Sequence, residues 1–291
     1  MISNDRILDL DWFESDKKTD SNIVTLLSGK GGVGKSILAY NLGAVAASLG
    51  YRTLIIDADW NCGNIHILSN AVPHYNLADI VKETIPTSNA IIRLTANLDM
   101  IASPAEVGIS TKLNTRQIKS FFAALKNIFV DYDYIFIDTG SADFETINTV
   151  SKTADFNLMI INPELTSIAD GYGLFKYLVK SNPDIFTGLL VNRAESESDY
   201  HFVYQKFAVL AQKFLNKVPF NAGFLLNDRM IIESVTAQKA MVDFKGDLNS
   251  VSMLTKLFKN LTFDTIPKDK ASTNRMQSSI NSVKELADIK E

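Results

Sequence analysis

The chain contains one cysteine, Cys62, and three scattered histidines, His66, His74 and His201, in 291 residues. A single thiol closes no intramolecular disulfide and builds no cysteine-rich zinc or iron–sulfur site, and the histidines show no metal-ligand spacing. There is no basic excess. The 33 acidic and 29 basic side chains leave a formal charge of −4, which argues against a generally basic nucleic-acid binder. No apolar run approaches the ~18 residues of a membrane-spanning helix. The first twenty residues are acidic where a secretory signal would be basic and then apolar, so the expected setting is cytoplasmic. With only 7 prolines and 14 glycines, no stretch reads as an interdomain linker.

What is present is ample apolar material, 46% of residues, which excludes a wholly disordered chain. Short runs recur at 23–28, 53–59, 98–103, 134–140, 156–162 and 186–192. They are apolar throughout instead of alternating, the mark of strands buried on both faces. Between them lie helical periods. Ile118, Phe121, Phe122, Leu125 and Phe129 share one stripe, and Val203, Phe207, Leu210 and Phe214 share another. The alternation predicts an α/β fold: a single domain with a mostly parallel twisted sheet and helices on both faces. Its expected limits are residues 21–263, with an acidic tail at 1–20 and a second tail at 264–291.

The first strand runs into Ser28-Gly29-Lys30-Gly31-Gly32-Val33-Gly34-Lys35-Ser36, followed by a helical pattern. Gly29, Gly34, Lys35 and Ser36 meet the phosphate-loop spacing. Glycines let backbone N–H groups turn inward around phosphate oxygens, and the helix behind aims its positive dipole end at them. The segment Gly31, Gly32, Val33, Gly34, Lys35, Ser36, Ile37 is therefore the candidate phosphate cradle. Lys35 adds a mobile charge, and the Ser36 hydroxyl suits Mg²⁺. Two further strands end in carboxylates, Asp57-Ala58-Asp59 and Asp138-Thr139-Gly140. At the carboxyl ends of parallel strands, such groups flank the ligand crevice and suit a magnesium site or the orientation of water. Asp57, Asp59 and Asp138 are the candidates, and each also suits a helix cap or turn.

KGGVGKS, with Lys30 near the loop start, resembles the deviant Walker A motif of the MinD/ParA ATPases, and the resemblance extends over residues 22–262. It implies a P-loop ATPase that binds ATP or ADP with Mg²⁺ and forms an ATP-dependent homodimer read by a protein partner or cargo. It implies that Lys30 reaches the partner subunit's phosphates, that Lys35 is the cis phosphate ligand, and that Asp59 positions the hydrolytic water. Asp138 becomes the switch residue near Mg²⁺, and Asn192, beside Arg193, the reader of the adenine edge. Asn162-Pro163-Glu164 matches the loop near the nucleotide or dimer face. Gly223–Arg229 and Ser234–Val242, with Asp138–Ala142, are similar to the MinD-like flagellar-number regulators (the FlhG/FleN type), although residues 1–20 lack those regulators' glutamine-containing motif. A ParA-type partition ATPase and a non-hydrolysing nucleotide-binding scaffold remain the alternatives.

Several readings stay open on the residues alone. Trp60 either alters switch packing or covers the core beside its strand. Leu248, Val251, Leu254, Leu257, Phe258 and Leu261 form an amphipathic helix expected to be the last core helix. The narrow stripe Met276, Ile280, Val283, Ala287 is expected to be either a membrane-surface helix or a flexible or self-docking end. Ile7, Leu8, Leu10, Trp12 and Phe13, set among acids, form either a partner-binding peptide or a strip folded back on the domain. Lys112, Arg116, Lys119 and Lys126 share a helix face over about 112–129, either a docking surface or a solvated face.

Overall fold

NIVTLL at Asn22–Leu27 forms β1, with every residue after Asn22 buried. The computed structural model describes residues 21–60, 63–104, 115–140, 142–245 and 249–261. After β1 come α1 (Lys35–Ser48), β2 (Thr53–Asp57), α2 (Ile65–Leu68), α3 (Leu77–Val81), β3 (Ile91–Arg93), β4 (Leu98–Ile101), α4 (Thr115–Phe129), β5 (Tyr134–Asp138) and α5 (Phe144–Ser151). The chain continues with β6 (Phe156–Ile161), α6 (Leu165–Ser181), β7 (Thr187–Ala194), α7 (Glu197–Leu215), β8 (Phe220–Leu226), α8 (Arg229–Ala237) and α9 (Asn249–Leu261).

The strands form one sheet in the order β3-β4-β2-β5-β1-β6-β7-β8, parallel except for β3, which pairs antiparallel with β4. The strand order reverses around β1, which pairs with β5 on one side and β6 on the other. That reversal opens a crevice at the carboxyl end of β1, the place where open α/β sheets bind ligands. Alternating side chains build two cores. Val24 and Leu26 of β1 join Ile55, Phe136 and Leu158 under α1 and α9. On the other face, Ile23 packs with residues of α3 and α4, and Leu27 with residues of α5, α6 and α7. Helix α1 is buried nearly all round because it lies between the sheet and α9.

The central strands are those expected from the apolar runs, but their ends differ. β2 stops at Asp57 and β5 at Asp138, so Asp59 and Gly140 lie on the loops beyond. β7 continues to Ala194, which puts Asn192 inside the strand instead of at its end. The stripe expected on α7 needs correction. Val203 and Phe207 are buried, but Leu210 is 39% and Phe214 62% exposed. The inward face is Tyr200, Val203, Tyr204, Phe207, Ala208 and Ala211. The two tyrosines bury because their hydroxyls find acceptors, Asn221 Oδ1 at 2.7 Å and the Pro219 carbonyl at 3.0 Å.

Leu254, Leu257, Phe258 and Leu261 of α9 are buried against α1, so this segment is the last described core helix. Trp60 covers the core: it is 5% exposed and meets Phe121 edge-to-face at 5.3 Å. Cys62, Lys112, Ser141, Leu248 and both tails lie outside the described residues, as does the side chain of Lys119. Arg116 lies on the exposed part of α4. Among the described residues, no helix is long and apolar enough to cross a membrane.

Candidate nucleotide site

The loop from Ser28 to Gly34 joins β1 to α1 at the head of the crevice. Gly34 precedes the helix with φ 98°, a left-handed conformation that favours glycine, and no side chain caps α1 and no acid sits in its first turn. The helix therefore presents unsatisfied N–H groups and the positive end of its dipole to the loop. Gly31 and Gly32 are exposed, while Val33 is buried as the loop's anchor. At Gly29 an added Cβ would fall 2.1 Å from the Asp170 carbonyl oxygen, so the loop lies directly on α6.

Lys35 is buried, and its Nζ donates to Ser28 Oγ at 2.8 Å. Burial lowers its pKa, against which the Asp138 and Asp59 charges raise it. Lys30 goes elsewhere. Its Nζ pairs with Glu164 Oε2 at 2.7 Å and donates to Thr166 Oγ1 at 2.9 Å. The same cation holds the Glu164 carboxyl below its ordinary range. The two lysines of the loop are thus kept apart by separate partners.

Asp57 and Asp138 are register partners on the paired strands β2 and β5 and are fully buried. Asp57 accepts from the backbone N–H groups of Asp59 (3.3 Å) and Ile65 (3.0 Å). Asp138 Oδ1 accepts from Gly140 N–H at 3.1 Å, and its buried Oδ2 has no donor in hydrogen-bond geometry. Burial, then the neighbouring Asp138 charge, pushes Asp57 up to about 8. Burial also raises Asp138, with the Ser36 hydroxyl and then Lys35 drawing it back. Asp59 sits against the next loop: a Cβ on Gly140, itself at φ 58°, would fall 2.2 Å from Asp59 Cγ.

The carboxylate pair has a testable consequence. A carboxyl whose folded pKa is raised contributes stability that is full below its unfolded value and is lost as pH rises toward the folded value. For Asp57 that interval runs from the ordinary carboxylate range, near 4, to about 8. In nucleotide-free calorimetric melts, Asp57→Asn should gain on the parent protein steadily from pH 5 to pH 8. A gap in Tm that is the same at both pH values would refute the assignment.

Asn192 bridges the crevice from β7. Its Nδ2 donates to the Val33 carbonyl at 2.7 Å, and its Oδ1 is buried without a donor. Arg193 beside it is exposed, with φ 58°. The crevice continues as an apolar cleft between Ile37, Leu225, Leu226, Met241 and Leu254. These walls come from α1, β8, the short 3-10 turn at Met241–Asp243 and α9. The contributions of Leu225, Leu226, Met241 and Leu254 are not evident in the sequence, where Leu254 reads as core and the other three only as part of the family resemblance. Ser103, another unanticipated residue, lies two residues beyond the end of β4, the strand neighbouring β2. Its buried hydroxyl lacks a partner, and a Cβ on Gly63 would strike both that hydroxyl and Asp57.

The residues present fit a Mg²⁺-nucleotide. The glycine loop and the α1 terminus suit phosphates, and the orphan acceptor Asn192 Oδ1 suits a base amino group. Asp138 Oδ2 with Ser36 suits a cation that shares its coordination with phosphate and water. The family described as AAA domain matches residues 21–181, more than half the chain. The chain belongs to the MinD/ParA family of P-loop ATPases. Relatives in sequence include the antiactivator FleN of Pseudomonas aeruginosa, 24% identical with 76% of this chain and 79% of that protein covered. The flagellum site-determining protein YlxH of Helicobacter pylori is 22% identical over 78% of this chain and 76% of its own. In structure, the septum site-determining protein MinD of Pyrococcus horikoshii, complexed with Mg-ADP, matches with a TM-score of 0.71 at 21% identity. That match covers 86% of this chain and 99% of that one, and it shows the shared fold.

Proposed function

We propose that this family member is an ATP-dependent dimerising switch with slow hydrolysis. The observation that carries the reading is the division of labour between the two loop lysines. Lys35 is buried with its Nζ on Ser28 and would be the cis phosphate ligand, whereas Lys30 is held at the loop's outer surface by Glu164 and Thr166. A cation placed outside its own phosphate pocket is suited to a phosphate presented by a second subunit.

When bound, Mg²⁺ would neutralise phosphate charge, held by Ser36 and Asp138 with Asp57 behind them. The N–H groups of residues 31–37 would fix the phosphates, and Asn192 with Arg193 would hold the base. Asp59, braced against Gly140, would orient the attacking water. The names of FleN and YlxH support flagellar number or placement as the process such a switch would serve, with MinD as the wider positioning theme.

Light scattering with Mg-ATP on the Asp59→Ala protein, in which turnover should be blocked, tests the switch. A dimer is expected, and a persistent monomer would refute it. Glu164→Gln refines the test. Because exposed ion pairs are weak, releasing Lys30 should lower the ATP concentration for half-maximal dimer only about two- to fivefold. An unchanged or raised threshold would show that the pair does not restrain Lys30.

A further inference from the structure

The outward face of α7 carries a second signal, independent of nucleotide. Phe202 is 56%, Val209 49% and Phe214 62% exposed, with Leu210 at their margin. Positions 202, 206, 209 and 213 follow helical spacing and form one stripe. Lys206 Nζ lies 4.0 Å from the Phe202 ring centroid, and Lys213 Nζ lies 5.4 Å from that of Phe214. Residues 201–216 contain no acid. The result is a strip of Phe202, Val209 and the two lysines about 17 Å long at 1.5 Å per residue, with Phe214 about a third of a turn to one side of its end. Large apolar side chains grouped on one exposed face mark a contact surface, and the lysines select for an acidic occupant.

We propose that the occupant is the chain's own segment 7–14, Ile-Leu-Asp-Leu-Asp-Trp-Phe-Glu, docked on α7 of the same molecule. Its composition is the complement of the strip. Residues 5–16 hold five acids, Asp5, Asp9, Asp11, Glu14 and Asp16, against one base, Arg6. Leu8, Leu10 and Trp12 alternate with Asp9 and Asp11, so an extended segment offers apolar groups on one side and carboxylates on the other. The apolar side would lie on Phe202 and Val209, and the long stems of Lys206 and Lys213 would carry their ammonium groups past it to the carboxylates.

The topology allows this in one molecule. Helix α7 returns from the carboxyl end of β7 to the amino end of the parallel strand β8, so Lys213 and Phe214 lie near the amino ends of the strands. The chain enters β1 at that same edge, two strand spacings from β7, or roughly 10 Å. The Ser21 hydroxyl donates to the Phe129 carbonyl of α4, on the sheet face that also carries α7. Eight residues lie between Trp12 and Ser21, a reach of ~30 Å when extended.

The chain has two tryptophans, Trp12 and the buried Trp60, which makes the test direct. In the full chain carrying Trp60→Phe, Trp12 should emit at shorter wavelength than free tryptophan and be quenched several-fold less by acrylamide. Lys206→Glu with Lys213→Glu should return both properties to solvent-like values, and adding Asp9→Lys with Asp11→Lys should restore protection. Fluorine NMR of the unsubstituted chain labelled with 5-fluorotryptophan reads the same Trp12 environment without touching Trp60. Solvent-like Trp12 in the parent protein, or protection indifferent to the charge reversals, would overturn the proposal. So would protection that grows with protein concentration, which places the segment on a second copy. Capture of the strip by phosphatidylglycerol vesicles while Trp12 stays solvent-exposed would also overturn it, by assigning the face to lipid.

Discussion

Lys35→Met should abolish the stabilisation of the protein by nucleotide while leaving the nucleotide-free protein melting no lower than the parent. Removing one partner of a buried charge pair costs 2–5 kcal/mol, so affinity for ATP should fall on the order of 100-fold or more. The second half of the expectation follows from burial. The largest influence on Lys35 in the empty site is desolvation, which disfavours its charge despite Asp138 and Asp59. A lysine whose folded pKa is lowered binds its proton less well folded than unfolded, so its contribution to stability improves as pH rises toward 10.5. At neutral pH, methionine removes that cost and retains the stem's apolar packing. The check is a pair of thermal melts with and without Mg-ATP, since a ligand that binds only the folded state raises Tm through RT ln(1 + [L]/Kd). A variant that still gains Tm with ATP, or that melts far below the parent without it, would defeat this account of Lys35.

Asp59→Ala should reduce phosphate release roughly 100-fold or more while changing ATP affinity by less than about threefold. A group that positions or deprotonates the attacking water contributes 10²–10⁴ to the rate. Asp59 is separate from the loop that would grip the phosphates, so binding and turnover should part company in this variant. Gly140→Ala supplies an orthogonal check. The new methyl would fall 2.2 Å from Asp59 Cγ, and φ 58° disfavours any Cβ, so it should lower turnover by displacing the same carboxylate. Equal losses of kcat and affinity in Asp59→Ala would show that the residue serves binding.

The fold was legible where burial is two-sided. β1, β2, β4, β5, β6 and β7 are apolar runs because helices cover both faces of the sheet. β3 has only three residues, and β8, at an edge, has partly buried residues along most of its length. Neither writes a continuous apolar run. Helix α7 misled for a different reason: it carries two overlapping apolar stripes. The stripe through Leu210 and Phe214 has cleaner helical spacing, but the core takes the one built from tyrosines and alanines. Counting apolar positions cannot tell that Tyr200 and Tyr204 have acceptors waiting on β8 and the turn before it.

The site divides in the same way. The loop and the strand-end aspartates were readable because each motif lies within a few consecutive residues. The pairing of Lys30 with Glu164 spans 134 positions, and that of Asn192 with Val33 spans 159. No local pattern announces either. For Trp60 the sequence allowed two readings, and contact with Phe121 selects the core.

The bond from Asn192 to the Val33 carbonyl ties the strand that would read the base to the loop that would cradle phosphates. With this clasp in place, the loop enters binding with part of its conformational entropy already surrendered, so less is lost when ligand arrives. Base and phosphate recognition then behave as one thermodynamic unit. Substitutions on the two sides of the clasp should show non-additive free energies, and a base that fits badly weakens the grip on its own phosphates.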